Sequence, residues 1–96
     1  MVVFLATLKV KADRVDAFEG YCRELLALTR EREPDTLVYE LARSQDDPLT
    51  YLWYARFASQ AAFDAHQTSD YHDRIIPPLL DCLAQDMDLK FYDHIE

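Results

Sequence analysis

Residues 54–72 constrain the fold most. The segment Tyr54-Ala55-Arg56-Phe57-Ala58-Ser59-Gln60-Ala61-Ala62-Phe63-Asp64-Ala65-His66-Gln67-Thr68-Ser69-Asp70-Tyr71-His72 reads as a strand end, a short amphipathic helix, a capped break and the start of a second helix. Ser59 is placed to cap the first helix, which runs to about Gln67. Ala62, Phe63 and His66 share one face of it by i, i+3, i+4 spacing. Thr68-Ser69-Asp70 then breaks and re-caps the chain, and helix resumes at Tyr71. Two of the three histidines and a tyrosine surround that break. Ionisable groups gathered at helix ends beside an apolar sheet suggest a small-molecule pocket.

The rest of the chain supplies the sheet. Val2 to Val10 is rich in β-branched and aromatic residues and reads as a strand. From Arg14 to Glu33 the residues Val15, Phe18, Cys22, Leu25, Leu26 and Thr29 follow a helical period. Asp13 stands at the N-cap position and Pro34 ends the helix. Gly20, the only glycine, is either a neutral cost of about 1 kcal/mol or a point of close approach to a strand. Leu37–Arg43 and Thr50–Phe57 read as strands joined by the polar turn 44–48. Pro77-Pro78 is expected to kink or restart the last helix, and Met87 to Ile95 alternates as a final strand.

This order, β-α-β-β-α-β with a split second helix, is the ferredoxin-like α+β arrangement, an antiparallel sheet with its helices on one face. One domain covers residues 1–96. The third strand buries either Tyr51, Trp53 and Phe57 or Leu52 and Tyr54, and periodicity does not choose between them. Either phase leaves apolar area on the helix-free face. With 50% hydrophobic and 12% aromatic residues in so short a chain, a second copy is expected to cover that face.

A net charge of -8 disfavours nucleic acid and anionic membrane surfaces, which need a basic footprint. No apolar run is long enough to span a bilayer, and no charged region followed by an apolar one opens the sequence. Cys22 and Cys82 both fall in helical apolar patterns and are expected to be buried free thiols, which fits a cytoplasmic protein. With one glycine there is no phosphate-cradling loop.

The strand-turn-strand EPDTLVYELARSQDDPLTYLWYARF and the helix SQAAFDAHQTSDYH resemble the antibiotic biosynthesis monooxygenase family of the dimeric α/β-barrel superfamily. Tyr39-Glu40 matches its second-strand pair, and His66, Ser69, Tyr71 and His72 match the region around its helix break. The resemblance implies a homodimer whose sheets close into a barrel. It implies one pocket per subunit and cofactor-independent oxidation of phenols, quinols or anthrones by O2. There are departures. Glu33-Pro34-Asp35 replaces the usual Glu-Pro-Gly, and Ala55 stands where an acidic residue is common. Thr7 and Ile76 occupy the places of the haem-degrading branch's Asn and axial His, which argues against haem degradation. A neighbouring branch of polyketide cyclases places a Tyr and a His six residues apart where this chain has His66 and His72, so a cofactor-free cyclase, lyase or isomerase is the alternative. A barrel that only binds a ligand or a partner is the third reading.

His72 is the first candidate base, because imidazole titrates near neutrality and can take a proton from a phenol or carbon acid. Its bland alternative is a surface histidine in a first helical turn. His66 is either catalytic or a core histidine bonding a carbonyl. Tyr71 is a candidate catalytic partner. Tyr39, Tyr51, Trp53 and Phe63 are candidates to line a pocket for a small aromatic or polyketide-like substrate, and they equally fit packing. Arg43 and Arg56 could stabilise an oxyanion or pair with a surface carboxylate such as Glu40. His66, His72, Asp70 and Asp73 do not follow a known ligand spacing, so neither a metal nor a cofactor is expected.

Overall fold

The computed structural model describes residues 1–96. The chain forms β1 (Val2–Lys9), α1 (Val15–Arg32), β2 (Thr36–Arg43), β3 (Thr50–Phe57), α2 (Gln60–Gln67), α3 (Asp70–Leu80) and β4 (Asp88–Tyr92). The strands make one antiparallel sheet in the order β2-β3-β1-β4. This is the ferredoxin-like α+β arrangement, and within a single chain the sheet stays open.

Burial fixes the phase of β3. Tyr51, Trp53, Ala55 and Phe57 are buried beneath the helices, while Leu52, Tyr54 and Arg56 face away from them. Register carries that phase across the sheet. Phe4, Ala6 and Leu8 pair with Ala55, Trp53 and Tyr51, and Tyr39 pairs with Ala55 from the other side. The core lies between this face and the inner stripes of α1, at Phe18, Cys22, Leu25 and Thr29, and of α3, at Tyr71, Ile75 and Leu79. Burying such apolar side chains stabilises the fold by roughly 1.5–3 kcal/mol each, before the cost of ordering them.

Two details, the α1 cap and the length of β4, differ from the sequence expectations, and the alternatives left at Gly20 and at Pro77-Pro78 are narrowed. Asp13 does not cap α1. The cap position is Arg14, without a side-chain bond to the helix, and a turn from Arg14 N–H to the Lys11 carbonyl leads in. Gly20 has nothing within 4 Å of where a side chain would start, so it marks no close approach. Helix α3 does not restart at Pro77-Pro78 but runs on to Leu80. The two missing N–H donors would have served the carbonyls of Asp73 and Arg74, both on exposed residues where water can replace them. Strand β4 is shorter than its alternation suggested and all five of its residues are exposed. It is an edge strand, so only β1 pairs with it. Cys22 and Cys82 are buried and unpaired, and burial pushes the Cys22 thiol up. No helix is long and apolar enough to cross a membrane.

Candidate active site

Strand alternation and two serine caps build the site. On the sheet, Ala6, Tyr39 and Trp53 point to the helix side. Above them, the Ser59 hydroxyl accepts from the Ala62 N–H and starts α2, whose buried face carries Phe63 and His66. At the break, the Ser69 hydroxyl donates to the His66 carbonyl at 2.8 Å and accepts from the His72 N–H at 3.3 Å. One side chain thus ends α2 and begins α3, and it stitches the two histidines together through their backbones.

Between sheet and helices lies a cavity of about 130 Å³. Twelve of its fifteen lining residues are hydrophobic. The polar exceptions are His66, Gln67 and His72, so any polar group on a ligand meets imidazole or the Gln67 amide unless it reaches Trp53 or Tyr39. Leu80, Met87 and Leu89 line the side toward β4, where all three are exposed.

The aromatic groups form a packed wall. Tyr39 lies 5.0 Å from Trp53 and 4.9 Å from His66, ring centre to ring centre. Phe57 meets His66 at 5.2 Å and Phe63 at 5.2 Å. The Trp53 Nε1–H is buried and has no acceptor. An unpaired buried donor costs about 1–3 kcal/mol, and the indole carrying it lines the cavity. Burial, with Glu33 adding to it, pushes the Tyr39 phenol well above its ordinary range and keeps it protonated. Burial and then the neighbouring His66 lower the His72 pKa, so His72 is a neutral imidazole with a lone pair at neutral pH.

His66, His72, Tyr39, Trp53 and Phe63 therefore share one cavity wall. Tyr71, Tyr51 and Arg43 do not. Tyr71 is buried, but its hydroxyl donates to the Glu33 carboxylate, and burial together with that bond pushes its pKa up to about 12. Tyr51 lies under α1, where its hydroxyl donates to Glu19 at 2.5 Å. Burial and Glu19 raise the Tyr51 pKa to about 12, while the Tyr51 bond holds Glu19 below its ordinary value. Arg43 is exposed and sits 3.9 Å from the same Glu19 carboxylate, so it meets an acidic partner rather than the cavity. Arg56 lies on the far face of the sheet, with Nη1 3.5 Å from Nε2 of His94. No three His, Cys, Asp or Glu side chains converge so as to hold a metal ion.

The residue that sequence reasoning missed is Glu33. It caps the C-terminus of α1, and its side chain turns inward to accept from His66 Nδ1 at 2.9 Å and from the Thr36 hydroxyl at 2.7 Å. Its only signal in the sequence was Glu33-Pro34-Asp35, which reads as a helix stop.

Solved structures share this architecture along the whole chain. A Caulobacter crescentus protein described as a candidate antibiotic biosynthesis monooxygenase superposes with a TM-score of 0.94 at 28% identity, covering 99% of this chain and 90% of that one. A second, described as an antibiotic biosynthesis monooxygenase, covers 100% of both chains with a TM-score of 0.91 at 27% identity. A conserved protein of Methanosarcina mazei, at 23% identity and a TM-score of 0.89, covers 95% of this chain and 89% of its own and shares the fold. No curated protein sequence matches the chain. Residues 1–77, which span β1 to most of α3 and hold Tyr39, Trp53, His66 and His72, match the family model for antibiotic biosynthesis monooxygenase, and the chain belongs to that family.

Proposed function

We propose that the cavity binds a small electron-rich hydroxylated aromatic and that the chain oxidises it with O2 without a bound cofactor. One observation carries this reading. A nearly apolar cavity is lined by a neutral imidazole, His72, by His66 beside it, and by the Trp53 indole, whose buried N–H lacks an acceptor. His72 takes the proton of a ring hydroxyl or of an acidic ring C–H. The electron-rich anion left behind can pass electrons to O2 directly. The Trp53 N–H would meet the oxygen on which negative charge develops.

The reaction balances without an outside reductant. A phenol or quinol loses two hydrogens and gains one oxygen atom, and the second oxygen atom leaves as water. All four electrons that reduce O2 come from the aromatic substrate. Size favours a one-ring substrate. A cavity of about 130 Å³ is close to the roughly 150 Å³ that accepts benzene in an engineered protein. A three-ring anthrone would have to extend past the exposed Met87 and Leu89 toward solvent.

The active form in this proposal is a homodimer in which a second copy covers the helix-free face of the sheet. Leu52 is 38% exposed there in the single chain, between Thr7 on β1 and Ala42 on β2, with the Leu5–Tyr54 pair next along the strands. The family membership supports both parts of the reading.

The test is turnover of a panel of phenols, quinols, anthrones and poly-β-keto phenols in air and under argon, with products followed by mass. Gain of one oxygen atom from 18O2, seen only in air and above background, is the expected result. Equal conversion under argon would replace oxidation with a cyclase, lyase or isomerase reaction using the same base. No conversion and no ligand-induced rise in Tm would leave a barrel without this activity.

A further inference from the structure

We propose that Glu33 is a positioning residue that fixes the hydrogen-bonding sense of His66, and that it thereby selects ligands carrying a free hydroxyl group. The inference rests on the reading of the cavity as a substrate pocket and adds to it the chemical group that His66 recognises.

A carboxylate only accepts hydrogen bonds. Glu33 places both its oxygens near His66 Nδ1, at 2.9 Å and 3.0 Å. Nδ1 therefore carries the hydrogen, and in the neutral ring the lone pair sits on Nε2. The ring lines the cavity and Glu33 does not. With the Nδ1 edge turned to Glu33, the geometry assigns Nε2 as the acceptor offered to a ligand.

The arrangement is held from every side. Glu33 also takes the Tyr71 hydroxyl and the Thr36 hydroxyl, so three donors converge on one carboxylate whose side chain is only 13% exposed. Tyr39 packs against one side of the His66 ring, and Phe57 and His72 pack against others, at 4.9, 5.2 and 4.9 Å. The imidazole is 2% exposed, too enclosed to turn over and exchange its nitrogens.

The consequence is selectivity. An acceptor inside an apolar cavity is satisfied by a ligand O–H and left unpaired by the corresponding methyl ether or quinone oxygen. Leaving a buried partner unpaired costs about tenfold or more in affinity. The pocket should therefore hold a phenol or quinol and release the oxidised product, whose carbonyl oxygen offers His66 nothing to accept.

Two measurements test this. The first needs no ligand. Nitrogen-15 NMR of the full chain should show His66 with a protonated Nδ1 and an unprotonated Nε2. In Glu33→Gln, which is close in shape but neutral and able to donate as well as accept, that single tautomer should give way to a mixture. The second compares phenol with methoxybenzene by calorimetry. Wild type should prefer phenol by about tenfold or more, and the preference should collapse in Glu33→Gln while methoxybenzene affinity barely moves. A merely structural Glu33 would weaken both ligands alike.

A wild-type His66 protonated on Nε2 would overturn the proposal and leave the pocket reading untouched. The expected tautomer with equal binding of the two ligands would overturn the selection. Binding of neither ligand to wild type would overturn the pocket reading and this inference with it. The wild-type measurements decide these outcomes even if Glu33→Gln does not fold.

Discussion

The imidazole rings of His66 and His72 meet edge to face with their centres 4.9 Å apart on the wall of one cavity. Burial of the half-buried His72 ring disfavours its protonated form, and the adjacent His66 adds to the effect. The His72 pKa lies below the ordinary 6.5. A base must be unprotonated, so kcat/KM should stay on its plateau at pH values below 6.5 and fall only through the lower folded-state pKa. Stability follows the same sign. The unfolded chain takes up the His72 proton first as pH falls, so this contribution to stability is lost as pH drops from about 6.5 toward the folded value. A pH–rate profile and an NMR titration of the His72 ring check both. An inflection at or above 6.5 assigned to His72 would contradict the burial argument.

Trp53 carries its buried N–H at a cost. Trp53→Phe removes that unpaired donor along with some ring area, and the two effects oppose each other. The net change in stability should be within about 1 kcal/mol, far from the 3–5 kcal/mol of an ordinary Trp→Ala truncation. Affinity for a phenol should nevertheless fall about tenfold, because the ligand oxygen loses its donor. Denaturant unfolding and calorimetry separate the two. A stability loss above about 3 kcal/mol would mean that the N–H is already satisfied in the folded protein.

Local chemistry was legible where the sequence alone determines it. The third strand lies at Thr50–Phe57 as its aromatic run and the preceding turn imply, Ser59 caps α2 as expected, and within the expected re-capping segment 68–70 it is Ser69 that caps α3. What failed depended on solvent or on distance along the chain. Pro77 and Pro78 do not restart α3 because their orphaned carbonyls belong to exposed residues, which no propensity rule can see. The phase of β3 needed the register with β1, since both of its faces carry aromatic residues. Glu33 stands far in sequence from His66 and Tyr71, and only the packing of α3 against both α1 and α2 joins the three. For the same reason Tyr51 and Tyr71 looked equivalent to Tyr39 as pocket residues, although their hydroxyls are committed to Glu19 and Glu33.

The two serine caps offer a matched comparison. Ser59→Ala and Ser69→Ala each remove one cap, and each should cost about 1 kcal/mol, or roughly 4–8 °C in Tm for a domain of this size. Only Ser69 also bonds the carbonyl of His66 and the N–H of His72. Ser69→Ala should therefore lower kcat or ligand affinity measurably beyond its loss of stability, and Ser59→Ala should not. Equal functional effects at equal stability would show that the break between α2 and α3 holds the histidines by packing alone.

The helix-free face of the sheet gives the last prediction. Leu52 sits on β3, an interior strand, and faces away from every helix in the chain. On a face open to water, Leu52→Lys is an ordinary surface substitution worth no more than about 0.5 kcal/mol. On a face covered by a second copy, two-fold symmetry brings the same strand of both copies to the contact, and the new lysines are buried without partners. Glu40, which pairs with Tyr54 and accepts its hydroxyl, is a carboxylate on the same face, and a lysine that drew on it would bury a second charge in the contact. Light scattering of wild type should give twice 11.2 kDa, and Leu52→Lys should bring the mass to that of one chain. The cavity lies on the opposite face of the sheet, so a monomeric variant that still binds phenol would locate the pocket within one chain. A wild-type monomer, or a dimer that Leu52→Lys leaves intact, would move the contact to another surface.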